Sequence, residues 1–169
     1  MRTAGVVVAD RGSAIVTVDR DGEAMRCSAI ERLPFDLGAV SGRVRSLDAQ
    51  TSIVVDSEGL GSALWAVVGR PEEDDPDAER HFTLYEGHGR ERQALVDRLL
   101  VAVEEDRFRF APGLPEQDAM SKALQGYRRQ VREDGLIGSE LVVALLLAMT
   151  PPPPVEEPSI YETRGIIHV

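Results

Sequence analysis

Ser52-Ile53-Val54-Val55-Asp56-Ser57-Glu58-Gly59-Leu60-Gly61 carries an apolar run straight into an aspartate and then a glycine-rich turn. Such a run suits a strand buried on both faces, as in the centre of an α/β sheet. Asp56 then stands at the carboxyl end of that strand, where open α/β sheets bind their ligands. A carboxylate there is costly to desolvate unless a cation, a hydrogen-bond donor or water satisfies it. Two uses fit the residue: ligand binding, or a local role as cap or Asx turn for a helix starting near Gly61. Other acids stand at comparable places. Asp10 follows the apolar Gly5–Ala9, and Glu140 lies in the first turn of a late apolar helix. His81 and His88 bracket a short strand, but two histidines without a third ligand nearby are ordinarily surface residues. Gly59-Leu60-Gly61 lacks the strand–loop–helix phosphate signature, and these residues contain no G-x-x-x-x-G-K-[ST], so no P-loop motor is expected here.

The elements that must position these side chains can be read in order. Gly5–Ala9 reads as a strand ending on Asp10, Arg11-Gly12 as a tight turn, and Ala14–Val18 as a second strand. Asp19-Arg20-Asp21-Gly22 signals another turn before a third strand over Ala24–Ile30, which makes an antiparallel meander. Leu37, Val40, Val44 and Leu47 then recur at helical spacing, predicting a helix over Asp36–Asp48 with Asp36 at its N-cap. The central Ile53–Asp56 strand and a helix over Ser62–Val68 follow. Arg70–Arg80 is acidic and holds two prolines, a solvated loop. Phe82–Tyr85 is a strand, and Arg90–Glu105 an amphipathic helix burying Leu95, Leu99 and Val103. Arg107–Phe110 alternates as an edge strand. A helix beginning at Pro115 has Ala119, Ala123, Leu124, Tyr127 and Val131 as its apolar stripe. Ser139 is the expected cap of the last helix, which runs to Met149. Residues 1–150 form one domain on this reading, and residues 151–169, opening on four prolines, form a linker and tail outside it.

Composition narrows the classes. The chain has 169 residues, room for one real core, and 29 acidic against 19 basic side chains, for a net charge of −10. That is the wrong sign for a protein gripping nucleic acid over its whole surface, so DNA contact must be local or supported by metals and partners. Arg128, Arg129 and Arg132 form a basic cluster fit for phosphate, although a solvated helix face is the commoner explanation. The longest apolar run, Leu141–Met149, is too short to span a membrane, and no signal-peptide segment precedes the first strand. The single cysteine, Cys27, forbids an internal disulfide and a cysteine-based zinc site. A cytoplasmic protein is expected, with no membrane partner and no small-molecule substrate.

Three strands, a helix, a parallel strand and further strand–helix units describe an α/β, ribonuclease H-like mixed sheet flanked by helices. In that fold, acids on the first strand, the fourth strand and a late helix converge on one edge. Asp10, Asp56 and Glu140 fall at those elements. With these residues in place, the chain resembles the nuclease domain of phage large terminase subunits from about Gly5 to Met149. The resemblance rests on Ile53–Gly61, on Thr83–Glu105 with the Arg-Phe-Arg-Phe-Ala-Pro step after it, and on Gly138–Ala148.

The resemblance implies a metal-dependent endonuclease that cuts double-stranded DNA during genome packaging, with the terminase ATPase motor and the portal as partners. It implies two Mg2+ or Mn2+ ions held by Asp10, Asp56 and Glu140, one activating water and one stabilising the leaving oxygen. A metal-free cluster of that kind repels itself, so Asp56→Asn is expected to melt no lower than the parent. Two departures leave a second reading open. The hairpin after Asp10 is short, and an alternative register places Val7 at the ligand position with Asp10 in the turn. Ser139 stands where the family has an acid. A catalytically degenerate domain that docks on DNA or the portal is therefore the alternative, with a RuvC-like nuclease a third.

Overall fold

Alternation along the first strands sets the two layers of the fold. The computed structural model describes residues 1–69, 81–87, 90–130 and 140–150. Within them, β1 (Arg2–Ala9), β2 (Gly12–Asp21) and β3 (Ala24–Leu33) form the expected meander. Then come α1 (Leu37–Arg45), β4 (Thr51–Asp56), α2 (Gly61–Val68), β5 (Phe82–Tyr85), α3 (Arg90–Glu104), β6 (Phe108–Phe110), α4 (Gln117–Gln130) and α5 (Glu140–Ala148). The sheet order is β5-β4-β1-β2-β3-β6. β4 lies parallel to β1 and to β5, and β6 pairs parallel with β3 at the far edge.

Side chains two apart share a face. Ala4, Val6, Val8, Ile15, Ile53 and Val55 therefore meet Val40 and Val44 of α1 and Leu64 and Val68 of α2 on one side. Val7, Val16, Val18 and Val54 meet Leu95, Leu99 and the whole apolar run of α5 on the other. Asp36 caps α1 as its position implied, accepting from the Ala39 N–H at 2.5 Å.

Helix α5 is apolar all round because it is covered all round, by β1 and β2 below and by α3 and α4 beside it. Gly5 lets it come that close. A Cβ at Gly5 would sit 1.9 Å from the Ala144 carbonyl oxygen and 2.6 Å from the Ala148 nitrogen, so α5 backbone rests directly on β1.

Some boundaries move. Helix α4 starts at Gln117 rather than Pro115, and Met120 is its fully buried residue, with Ala119, Ala123 and Leu124 partly buried around it. Val103 is 53% exposed, because Val96 and Ala102 take the inward places beside Leu95 and Leu99. The Tyr127 side chain, Val131, Ser139, the Arg70–Arg80 loop and the 151–169 tail lie outside the described residues.

Cys27 sits fully inside the larger core cluster, and burial pushes its thiol from an ordinary 9.0 up to about 12. The neutral thiol therefore favours the folded state below about pH 9, a contribution lost as pH rises toward 12. Folded protein at pH 8 should react with a thiol reagent roughly a thousandfold more slowly than unfolded protein; equal rates would show that Cys27 is not enclosed. Gly5→Ala should cost about 3 kcal/mol, the upper part of the overpacking range, read as a lower urea midpoint. An unchanged midpoint would mean that α5 does not lie on this glycine.

Candidate functional site

The carboxyl edge of β4 is built by strand pairing and by one turn. Ile53 and Val55 face α1 and α2, so Val54 and Asp56 face α3 and α5. After Asp56 the chain turns sharply back over β1. Gly59 has φ 62°, and a Cβ on it would lie 2.2 Å from the Val8 carbonyl oxygen, while one on Gly61 would lie 1.5 Å from the Asp56 carbonyl oxygen. The Leu60 N–H donates to Val8 O at 3.0 Å and pins the turn to β1. Those glycines serve close backbone approach.

Asp56 is 2% exposed, and Arg92 of α3, itself 6% exposed, reaches it across the sheet face. Arg92 Nη2 donates to Asp56 Oδ1 at 2.7 Å and lies 3.1 Å from Glu58 Oε1, while Nε donates to the Gly87 carbonyl at 3.0 Å. Asp56 Oδ1 also accepts a long 3.4 Å bond from the Glu58 N–H. Asp56 does not cap α2, whose N-cap residue Leu60 offers no side-chain bond. Against the expectation of a self-repelling metal-free cluster stands this pairing, a buried guanidinium against the Asp56 carboxylate.

Tyr85 pairs with Asp56 across β5 and packs on the same core. Its hydroxyl is buried with no hydrogen-bond partner among the described residues, and it presses against Gly87, where a Cβ would lie 2.3 Å away. Burial pushes the Tyr85 phenol above its ordinary value; nearby Arg92 opposes this, and Glu91 and Asp56 reinforce it.

The other expected site residues divide. In the β1–β4 register Arg2 faces Thr51 and Val6 faces Val55, so the residue beside Asp56 is Val7, on the same face. Asp10 is exposed in the two-residue turn between Ala9 and Gly12, three residues or about 10 Å farther along. Glu140 fares differently. Arg20 Nη2 donates to the Met149 carbonyl at 2.8 Å, and the Arg20 N–H to Met1 O at 2.7 Å, so α5 ends where β1 begins. The helix therefore runs antiparallel to β1. With Ala144 over Gly5, Glu140 lies roughly 6 Å nearer the Asp56 edge, about the level of Val7. Glu140 is partly buried.

Among the described residues, no three His, Cys, Asp or Glu side chains gather as a metal site requires. An implied two-metal centre does not fit this donor set: an apolar side chain takes the first-strand position and an arginine holds the second carboxylate. His81 is exposed and its carbonyl accepts from Ile53 N, whereas His88 lies outside the described residues. Arg128 and Arg129 fall in the last turn of α4, and Arg132 lies outside the described residues. No helix among the described residues is long and apolar enough to cross a membrane.

Arg92 was missed by reading acids first. The signal was present: it sits three before Leu95 and seven before Leu99, on the stripe of α3 that faces the sheet. An arginine in that place needs a buried anion.

No protein-family model matches the chain, and no curated protein matches it. Solved structures do. The fold is similar to the manganese-soaked, inhibitor-bound terminase nuclease domain of human cytomegalovirus, with 12% identity and a TM-score of 0.52, over 86% of this chain and 80% of that one. A manganese-soaked form of that domain matches at 14% identity and a TM-score of 0.52, over 86% and 81%. The mixed six-stranded sheet with flanking helices is thus ribonuclease H-like, in the arrangement of a terminase nuclease domain.

Because the Tyr85 hydroxyl is buried without a partner among the described residues, Tyr85→Phe should leave stability unchanged or raise it by up to about 1 kcal/mol. A loss beyond that in urea unfolding would mean that the hydroxyl is bonded after all.

Proposed function

We propose that this chain is a terminase-type domain of the phage genome-packaging machinery that keeps the nuclease fold without two-metal cutting. It works by docking on duplex DNA, with the ATPase motor and portal as partners. The observation that carries this reading is Val7, an apolar side chain at the place beside Asp56 where the superfamily puts its first-strand acid. A two-metal site depends on several oxygen ligands, and loss of one cuts affinity and rate severely. Asp10 in the hairpin turn is too far along the strand to replace it. The net charge of −10 requires any DNA contact to be local, and Arg128, Arg129 and Arg132 are the cluster we assign to it.

A second reading is a live Mg2+- or Mn2+-dependent endonuclease in which Asp10, Asp56 and Glu140 close together around DNA. It is favoured by the direction of α5, which carries Glu140 to the Asp56 edge. Asp10 would then have to swing inward with its turn, and Arg92 would have to release Asp56.

The assay that separates them is plasmid nicking. On the docking reading, supercoiled plasmid stays intact with manganese, magnesium or EDTA, while gel shift retains duplex DNA and Arg128→Ala/Arg129→Ala/Arg132→Ala weakens retention. Manganese-dependent nicking that disappears in Asp56→Asn would establish the second reading instead. Nicking that survives in Asp56→Asn would defeat both.

A further inference from the structure

We infer that Arg92 is the resident counter-ion of Asp56, taking at this edge of the sheet the charge-balancing place that a divalent cation holds in a two-metal nuclease. The inference rests on the docking reading in that both assign no metal chemistry to this edge, and it goes further by giving the carboxylate a structural role.

Four observations carry it. Asp56 and Arg92 are both almost fully enclosed, at 2% and 6% exposure, and their charged atoms meet at 2.7 Å. Arg92 is not a loose side chain that strayed onto an acid, since the Gly87 carbonyl and the Glu58 carboxylate also hold it. It projects from the sheet-facing stripe of α3, whose other members, Leu95, Val96, Leu99 and Ala102, are core residues. The place beside the pair is filled by Val7, which supplies no further negative charge.

A guanidinium is charged at every accessible pH and cannot leave by deprotonation. A divalent ion at Asp56 would therefore sit against a fixed positive charge. To displace that charge it would have to break the buried pair and leave Arg92 with only the exposed Glu58 carboxylate and the Gly87 carbonyl, a costly way to open such a site. Arg92 also joins three segments: the turn after β4, the Gly87 backbone ahead of α3, and α3 itself. The pair is a pin that closes the edge.

A thermal double-mutant cycle with a manganese titration tests this. Asp56→Asn and Arg92→Met should each lower Tm by roughly ten degrees, since each breaks a buried ion pair from one side. The double variant should melt above both singles, and Arg92→Lys should fall between Arg92→Met and the parent. MnCl2 up to millimolar concentration should leave the parent's Tm and the free Mn2+ electron-paramagnetic signal unchanged.

An Asp56→Asn Tm at or above the parent's would overturn the inference. So would manganese binding to the parent that Asp56→Asn abolishes. Should the single variants fail to fold, the manganese titration of the parent decides alone. Plasmid cutting keeps the two proposals apart: cutting that Asp56→Asn retains, with the cycle still coupled, defeats the docking reading and leaves the pair standing. No cutting with an uncoupled cycle defeats the pair alone.

Discussion

A carboxylate enclosed at the end of a central strand has to be met by positive charge or strong donors, and much of this edge is arranged around that requirement at Asp56. Period-two alternation puts its side chain on the α3 and α5 face, where the turn that follows offers it only one long bond, from the Glu58 N–H. The turn itself is committed elsewhere, because Gly59 and Gly61 bring it hard against β1 and the Asp56 carbonyl. Compensation then comes from a neighbouring helix. Arg92 supplies it, and in doing so ties the start of α3 to the end of β4 and to the Gly87 backbone after β5. Removing either partner leaves the other charged in a low-dielectric place, whereas removing both only deletes a polar contact. The pair therefore contributes more to how this edge is organised than to how stable the whole sheet is.

The larger mechanical element is independent of that pair. Helix α5 lies against β1 and β2 through backbone contact at Gly5, and every residue from Leu141 to Met149 is buried. Arg20 closes its C-terminal end by donating to Met149. These contacts dictate the direction of the helix and so the position of Glu140. Glu140 reaches the Asp56 edge as a by-product of packing, whether or not any chemistry uses it.

The sheet was legible from its apolar runs: the meander, the central strand and the parallel Phe82–Tyr85 strand all follow from strand signals and the tight turns between them. Asp36 was legible as a cap because a short acid before a helical period has few other uses. The site was less so. Two registers are open from the strand end alone, Asp10 or Val7 at the ligand position, and only the pairing with β4 selects Val7 beside Asp56. A hairpin of two turn residues leaves no slack to bring Asp10 back. Arg92 was hidden for a different reason. A buried ion pair joins residues 36 apart in sequence, and neither has a local pattern that names the other. Val103 misled as part of an apolar stripe because Ala102, three after Leu99, takes the inward place and leaves Val103 exposed.

The packing of this sheet does not depend on an acidic cluster. What holds the ribonuclease H-like sheet here is apolar: the two clusters on its faces contain almost no acid, and the contact of α5 with β1 is backbone on backbone. An acidic cluster adds nothing to that core and, without metal, works against it through mutual repulsion and desolvation. If cutting is no longer required, replacing one acid by valine is favourable packing, and leaving another in place calls for a permanent cation. On the docking reading, Val7 and Arg92 are the two sides of that adjustment. Val7 adds no charge beside the pair, and Arg92, which also meets the exposed Glu58 carboxylate, balances the buried one at Asp56.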